Sequence, residues 1–108
     1  MAAHDPMTTL KAEIVEYGED VSLARLCATC GVSPDWVMSL VRHGGLMPRG
    51  RRPRNWRFSA TAIVRVNRAR RLSRDLELDP AATAVVLDLI DEIDRLRARL
   101  DRLREPGR

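Results

Sequence analysis

The chain has 108 residues, 44% of them apolar, and a net charge of +4, which fits one folded domain with a modest core better than a disordered segment. All of its 19 basic residues except Lys11 are arginine, and eleven of them fall between residues 36 and 74, where there is no Asp or Glu. Such a field attracts phosphates whatever their sequence, so an anionic partner is possible, although an arginine-rich composition also yields solvated arginines with no special role. Tyr17, Trp36, Trp56 and Phe58 are the only aromatics, which excludes a repeated platform for stacking single-stranded bases.

The N-terminal residues carry no basic region followed by an apolar one, and no apolar run approaches a membrane span. A cytoplasmic location without membrane association is therefore expected. Residues 1–19 form an arm with little periodicity beyond Leu10, Ile14, Val15 and Tyr17. From Ser22 the pattern sharpens. Ser22 can cap a helix whose inner face is Leu23, Leu26 and Cys27, and Gly31 lets the chain turn. Cys27 and Cys30 make a CxxC spacing, but zinc asks for about four ligands and the remaining candidates besides carboxylates are His4 and His43. A redox motif would follow a strand and open a helix, whereas here a helical pattern runs into it. The pair is read as two small, half-buried thiols ending a helix, with no metal or cofactor expected.

A second helix begins at Ser33, Pro34 and Asp35, which supply cap, first-turn proline and a carboxylate favourable to the helix dipole. Its apolar face is Trp36, Val37, Leu40 and Val41. Helix, glycine turn and helix within about twenty residues is the arrangement of a helix-turn-helix. Gly44 and Gly45 close it. Leu46, Met47, Pro48 and Trp56, Arg57, Phe58 read as two extended pieces around a turn-rich, arginine-rich hairpin, a wing. Trp36 and Trp56 are each expected to fill the core rather than to anchor a partner. Ser59 caps a third helix with Ile63, Val66, Ala69, Leu72 and Leu76 on its apolar face, and Asp79 with Pro80 breaks it and starts a fourth.

The fourth helix carries Val86, Leu89, Ile93, Leu96, Leu100 and Leu103 at alternating spacings of three and four, the a and d seam of a coiled coil. A seam needs a partner. With Glu92 and Arg99 at g and Arg97 and Arg104 at e, an antiparallel pair matches Glu92 with Arg99 twice, whereas a parallel pair matches Glu92 with Arg97 but opposes Arg99 to Arg104. A homodimer is therefore expected, with an antiparallel arrangement preferred; the first half of the seam, through Ile93, has packing on the chain's own helices as an equal alternative. The organisation is an arm over 1–19, a winged helix-turn-helix with its third helix over 20–78, and a dimerisation helix over 79–108.

Three stretches, VSLARLCATCGVSPDWVMSLVRHGGLMP, then NWRFS, then RARRLSRDLELDPAATAVVLDLIDEIDRLRARL, together resemble the chaperone-modulator family CbpM. The resemblance implies a mainly α fold: a MerR-like winged helix-turn-helix, an amphipathic helix and a C-terminal dimerising coiled-coil helix. It also implies binding to the J domain of a CbpA-type, DnaJ-like co-chaperone, which keeps that J domain from stimulating the Hsp70-class chaperone DnaK. No catalysis is implied, and none is expected from the residues, because no nucleophile has a base and an orienting group beside it in any recognisable pattern. Since a J domain meets its Hsp70 through a basic helix, an acidic patch is the expected docking surface. Asp88, Asp91 and Glu92 lie on one helical stripe and are the preferred residues; Glu13, Glu16, Glu19 and Asp20 form a second cluster. The plainer reading of the stripe is a solvated face with internal pairs such as Asp91 with Arg95, worth about 0.3 to 0.5 kcal/mol each.

The competing expectation is a MerR-like DNA-binding regulator that uses the second helix in the major groove and contacts backbone through Arg42, Arg49, Arg51, Arg52, Arg54 and Arg57. Its weakness is the recognition helix. MerR regulators carry an arginine and two aromatics where this chain has Ser39, Leu40 and Val41, and Trp56 stands where they have a wing arginine. Asp35, near the start of that helix, repels phosphate.

Overall fold

Every helix start in the structure, a computed structural model that describes residues 20–104, falls on a residue whose local chemistry suits it. The Ser22 side chain accepts the backbone N–H of Arg25 at 3.2 Å and opens helix α1, Leu23–Cys30, which ends on Gly31 in the left-handed conformation. Ser33 accepts from Trp36 at 3.1 Å and opens α2, Pro34–Arg42. Ser59 does the same for α3, Ala60–Leu76, and Asp79 accepts from Ala82 at 2.8 Å ahead of α4, Pro80–Arg104. Each such cap satisfies a donor that the helix itself leaves orphaned, worth about 1 kcal/mol. The four helix starts agree with the sequence reading, and the arrangement is the mainly α, MerR-like winged helix-turn-helix expected.

The wing differs from its expectation. Its return strand β2, Arg57–Phe58, joins the segment that precedes it through one bridge, Arg49 to Arg57, with reciprocal N–H to O distances of 3.0 and 2.9 Å. The true strand pairing is with β1, Val21–Ser22, antiparallel, with Val21 opposite Phe58 and Ser22 opposite Arg57. Two residues are too short a strand for alternation to be visible in a sequence. The wing tip is a 3₁₀ turn, Pro53–Asn55, and Gly50 admits it: a Cβ there would lie 2.5 Å from the Asn55 carbonyl oxygen.

Phe58, Leu26, Val37, Leu40, Ile63, Val66 and Leu87 make the centre of one core, which Trp56 joins with its ring edge-on to Phe58 at 6.1 Å between centroids. Trp36 is half-buried at the core's margin. Cys27 and Cys30 are more buried than expected, and both thiols are free. Burial raises both thiols; for Cys30, burial outweighs the opposing Arg70 guanidinium and, with a smaller upward push from Cys27, leaves it at about 11. A thiol held in its neutral form is a poor nucleophile and a poor metal ligand, so the pair acts as small apolar filling. Arg70, from α3, also brings a cation near Gly31, at the end of α1, which has no basic residue in its own last turn.

Among the described residues no helix is long and apolar enough to cross a membrane, and no group of three or more His, Cys, Asp or Glu is placed to hold a metal ion. The arm over 1–19, including Glu13, Glu16 and Glu19, lies outside the described residues. Asp20 is described, and its carboxylate pairs with Arg49 at the base of the wing.

Candidate docking surface

Helix α4 has two apolar faces, and only one of them is used by the chain itself. Thr83, Ala84 and Leu87 are buried where α4 packs on α2 and α3. At about 100° per residue, the stripe of Val86, Leu89, Ile93, Leu96, Leu100 and Leu103 falls on nearly the opposite side of the helix. Val86 is half-buried, whereas Leu89, Ile93, Leu96, Leu100 and Leu103 are all exposed, Leu89 at 58% and Leu96 at 44%. Of the two readings for the first half of the stripe, packing on the chain's own helices therefore fails from Leu89 onward. Fold-level reasons decide this. The turn after α3 sets Ala84 and Leu87 against the helix-turn-helix, and among the described residues no element packs on the opposite face of the helix.

The acidic stripe is divided between two partners. Arg65, on α3, reaches across to α4 and donates to Asp91 at 2.6 Å and to Asp88 at 3.3 Å, while its Nε donates to the Gly45 carbonyl at 2.5 Å. Glu92 belongs to a separate pair with Arg95, which lowers the Glu92 carboxyl through that hydrogen bond. The expected pair of Asp91 with Arg95 is thus corrected: Asp91 turns to α3, and Arg95 takes the acid three residues before it. Arg65 was not singled out in the sequence, where it is one of eleven arginines between residues 36 and 74 and not one of the six candidates. Its signal was position, since it lies on the same helical face as Leu72 and Leu76, toward α4.

Arg65 lines a groove of about 330 Å³ together with Met47, Thr61, Asp88 and Asp91. The corner over residues 44–47 is pressed onto α4. Gly45 is buried, and a Cβ on it would stand 3.2 Å from that of Ala84 and 3.3 Å from Leu40, so a larger residue here would have to push these neighbours by a few tenths of an ångström. Leu46 points into the core and Met47 points out, 90% exposed. Within the groove two half-exposed carboxylates share one guanidinium, which leaves negative charge in excess on a protein that is otherwise basic.

The six arginines of the alternative reading fall into two groups. Arg42, at the end of α2, and Arg51, Arg52 and Arg54, at the wing tip, are exposed and make no ion pair among the described residues. Arg49 is occupied by Asp20, and Arg57 donates to the Trp56 carbonyl at 3.1 Å.

This architecture, a winged helix-turn-helix with a projecting helix, is that of the MerR class, and the family model described as "MerR HTH family regulatory protein" matches residues 21–105. Curated relatives narrow the class. The chain is 36% identical to the chaperone modulatory protein CbpM of Pseudomonas entomophila strain L48, over 79% of this chain and 84% of the relative. It is 34% identical to the CbpM of Pseudomonas putida strain GB-1 over the same shares, and 29% identical to that of Coxiella burnetii strain Dugway 5J108-111 over 84% of this chain and 86% of the relative. The chain belongs to the CbpM family within the MerR-type helix-turn-helix proteins.

Proposed function

We propose that this protein is a chaperone modulator that binds the J domain of a CbpA- or DnaJ-like co-chaperone and thereby prevents its stimulation of DnaK. The observation that carries the reading is the carboxylate pair Asp88 and Asp91 on the rim of a groove, in a chain whose relatives are named for chaperone modulation. A cationic helix on the J domain finds there an anionic surface held in place by Arg65, with Glu92 on the same helix. Occupying that helix blocks the surface with which the J domain meets DnaK. The effect is competitive and needs no bond to be made or broken. The exposed α4 stripe is proposed as a homodimer seam, antiparallel, with Glu92 of one copy against Arg99 of the other.

The test is a calorimetric titration with the isolated J domain of the co-chaperone encoded in the same genome, at near-physiological salt. Saturable binding is expected, weakened about tenfold or more in a variant carrying Asp88→Asn, Asp91→Asn and Glu92→Gln. Absence of any complex with the unaltered protein would sink the reading.

A second reading, DNA binding through α2 and the wing, is favoured by one observation, the four exposed arginines Arg42, Arg51, Arg52 and Arg54, which make no ion pair among the described residues. It requires affinity for duplex DNA that falls steeply with salt, and a smaller salt slope when Arg51 and Arg52 are changed to Ala. A J domain would bind that double variant unchanged.

A further inference from the structure

We infer that the docking surface continues from α4 across the groove to Met47, and that it selects a basic helix carrying an apolar side chain next to its cation. The inference rests on the proposed J-domain reading and adds the apolar half of the contact.

Met47 is 90% exposed although the corner that carries it is firmly held. Leu46 before it is buried, Arg49 after it is bridged to Arg57, and Gly45 is wedged between Leu40 and Ala84. Met47 is therefore presented by anchored neighbours on both sides. It forms a ridge between two grooves. On one side lies the groove of about 330 Å³, also lined by Asp88 and Asp91; on the other lies one of about 440 Å³ lined by Val41, Pro48, Trp56 and Arg51. The two sides differ in sign, anionic toward α4 and cationic toward the wing. Charge complementarity directs a cation to the α4 side, where Asp88 and Asp91 together outweigh Arg65. An apolar group next to that cation on the same helical face then meets the methionine, whose unbranched thioether adapts to irregular partners. Neither feature alone specifies an occupant. Exposed carboxylates attract any cation, and an exposed methionine attracts any apolar surface; their sharing one groove favours a cation and an apolar group presented side by side, as a basic amphipathic helix presents them.

The experiment compares the full-length protein with Met47→Ala, Met47→Leu and Val64→Ala, each titrated with the same J domain. Val64 is 46% exposed and lies outside the groove, so it controls for loss of surface apolarity in general. Because Met47 is almost wholly in solvent, none of its variants should alter the thermal midpoint. Met47→Ala should weaken binding by about tenfold, with Met47→Leu and Val64→Ala within about twofold of the parent. If the parent binds and Met47→Ala binds equally well, or Val64→Ala loses as much, the Met47 contact is overturned while the J-domain reading stands. If the parent itself does not bind, both fall together.

Discussion

The two halves of α4 share one continuous apolar stripe and meet different fates. Its first half lays Thr83, Ala84 and Leu87 into a core shared with α2 and α3, while its second half carries Leu96, Leu100 and Leu103 on an exposed stripe past the last buried residue. Apolar periodicity is continuous through both. Amphipathicity thus says that a face will be covered and is silent about whether the cover comes from the same chain. The first half is supported by tertiary packing at every turn, whereas the second has only helix propensity and its ion pairs until something docks on it.

The comparison can be broken most severely in the first half. Leu87→Ala removes a side chain that is 1% exposed and should cost about 2 to 5 kcal/mol in chemical denaturation, since the rigid surroundings of α2 and α3 cannot collapse into the cavity. A loss under 1 kcal/mol would mean that α4 is less firmly joined to the helix-turn-helix than its burial implies. In the second half the corresponding change is Leu96→Asp. At 44% exposure it should leave the fold of one copy intact, yet it places a charge at the proposed seam and should halve the mass measured by sedimentation. An unchanged mass, or a parent that is already monomeric, would remove the seam.

The smallest effect concerns the joint between α3 and α4. Glu77 ends α3 with a φ of 53°, in the left-handed region that a side chain disfavours. The conformation is held by the Leu78 N–H on the Ser73 carbonyl and by the Ser73 hydroxyl on the Leu78 carbonyl, at 3.1 and 2.8 Å. Glu77→Gly relieves the strain but raises the entropy of the unfolded chain, which opposes folding, and a net gain of up to about 1 kcal/mol is expected by thermal or chemical melting. A loss would show that the Glu77 side chain contributes more to the turn than its exposed position suggests.

The helix starts, the joint at Asp79 and Pro80, the turn at Gly31 and the apolar stripe of α4 were all legible in the sequence. Each depends on groups within four residues of one another, so the chain carries the whole cause in one place. The same holds for the expectation that Trp56 enters the core, because an aromatic in an aromatic-poor domain has few better places. The pairing of β1 with β2 was not legible: it joins residues far apart through two-residue strands that have no pattern of their own. Nor was the role of Arg65 legible. Asp88 and Asp91 had several arginines within plausible reach along the sequence, and the choice fell on one 23 and 26 residues away because the packing of α3 on α4 sets its guanidinium beside them. Residue chemistry decided which groups needed partners, and the long-range contacts of the folded chain decided which partner each received, because only packing sets distance between groups that the sequence keeps apart.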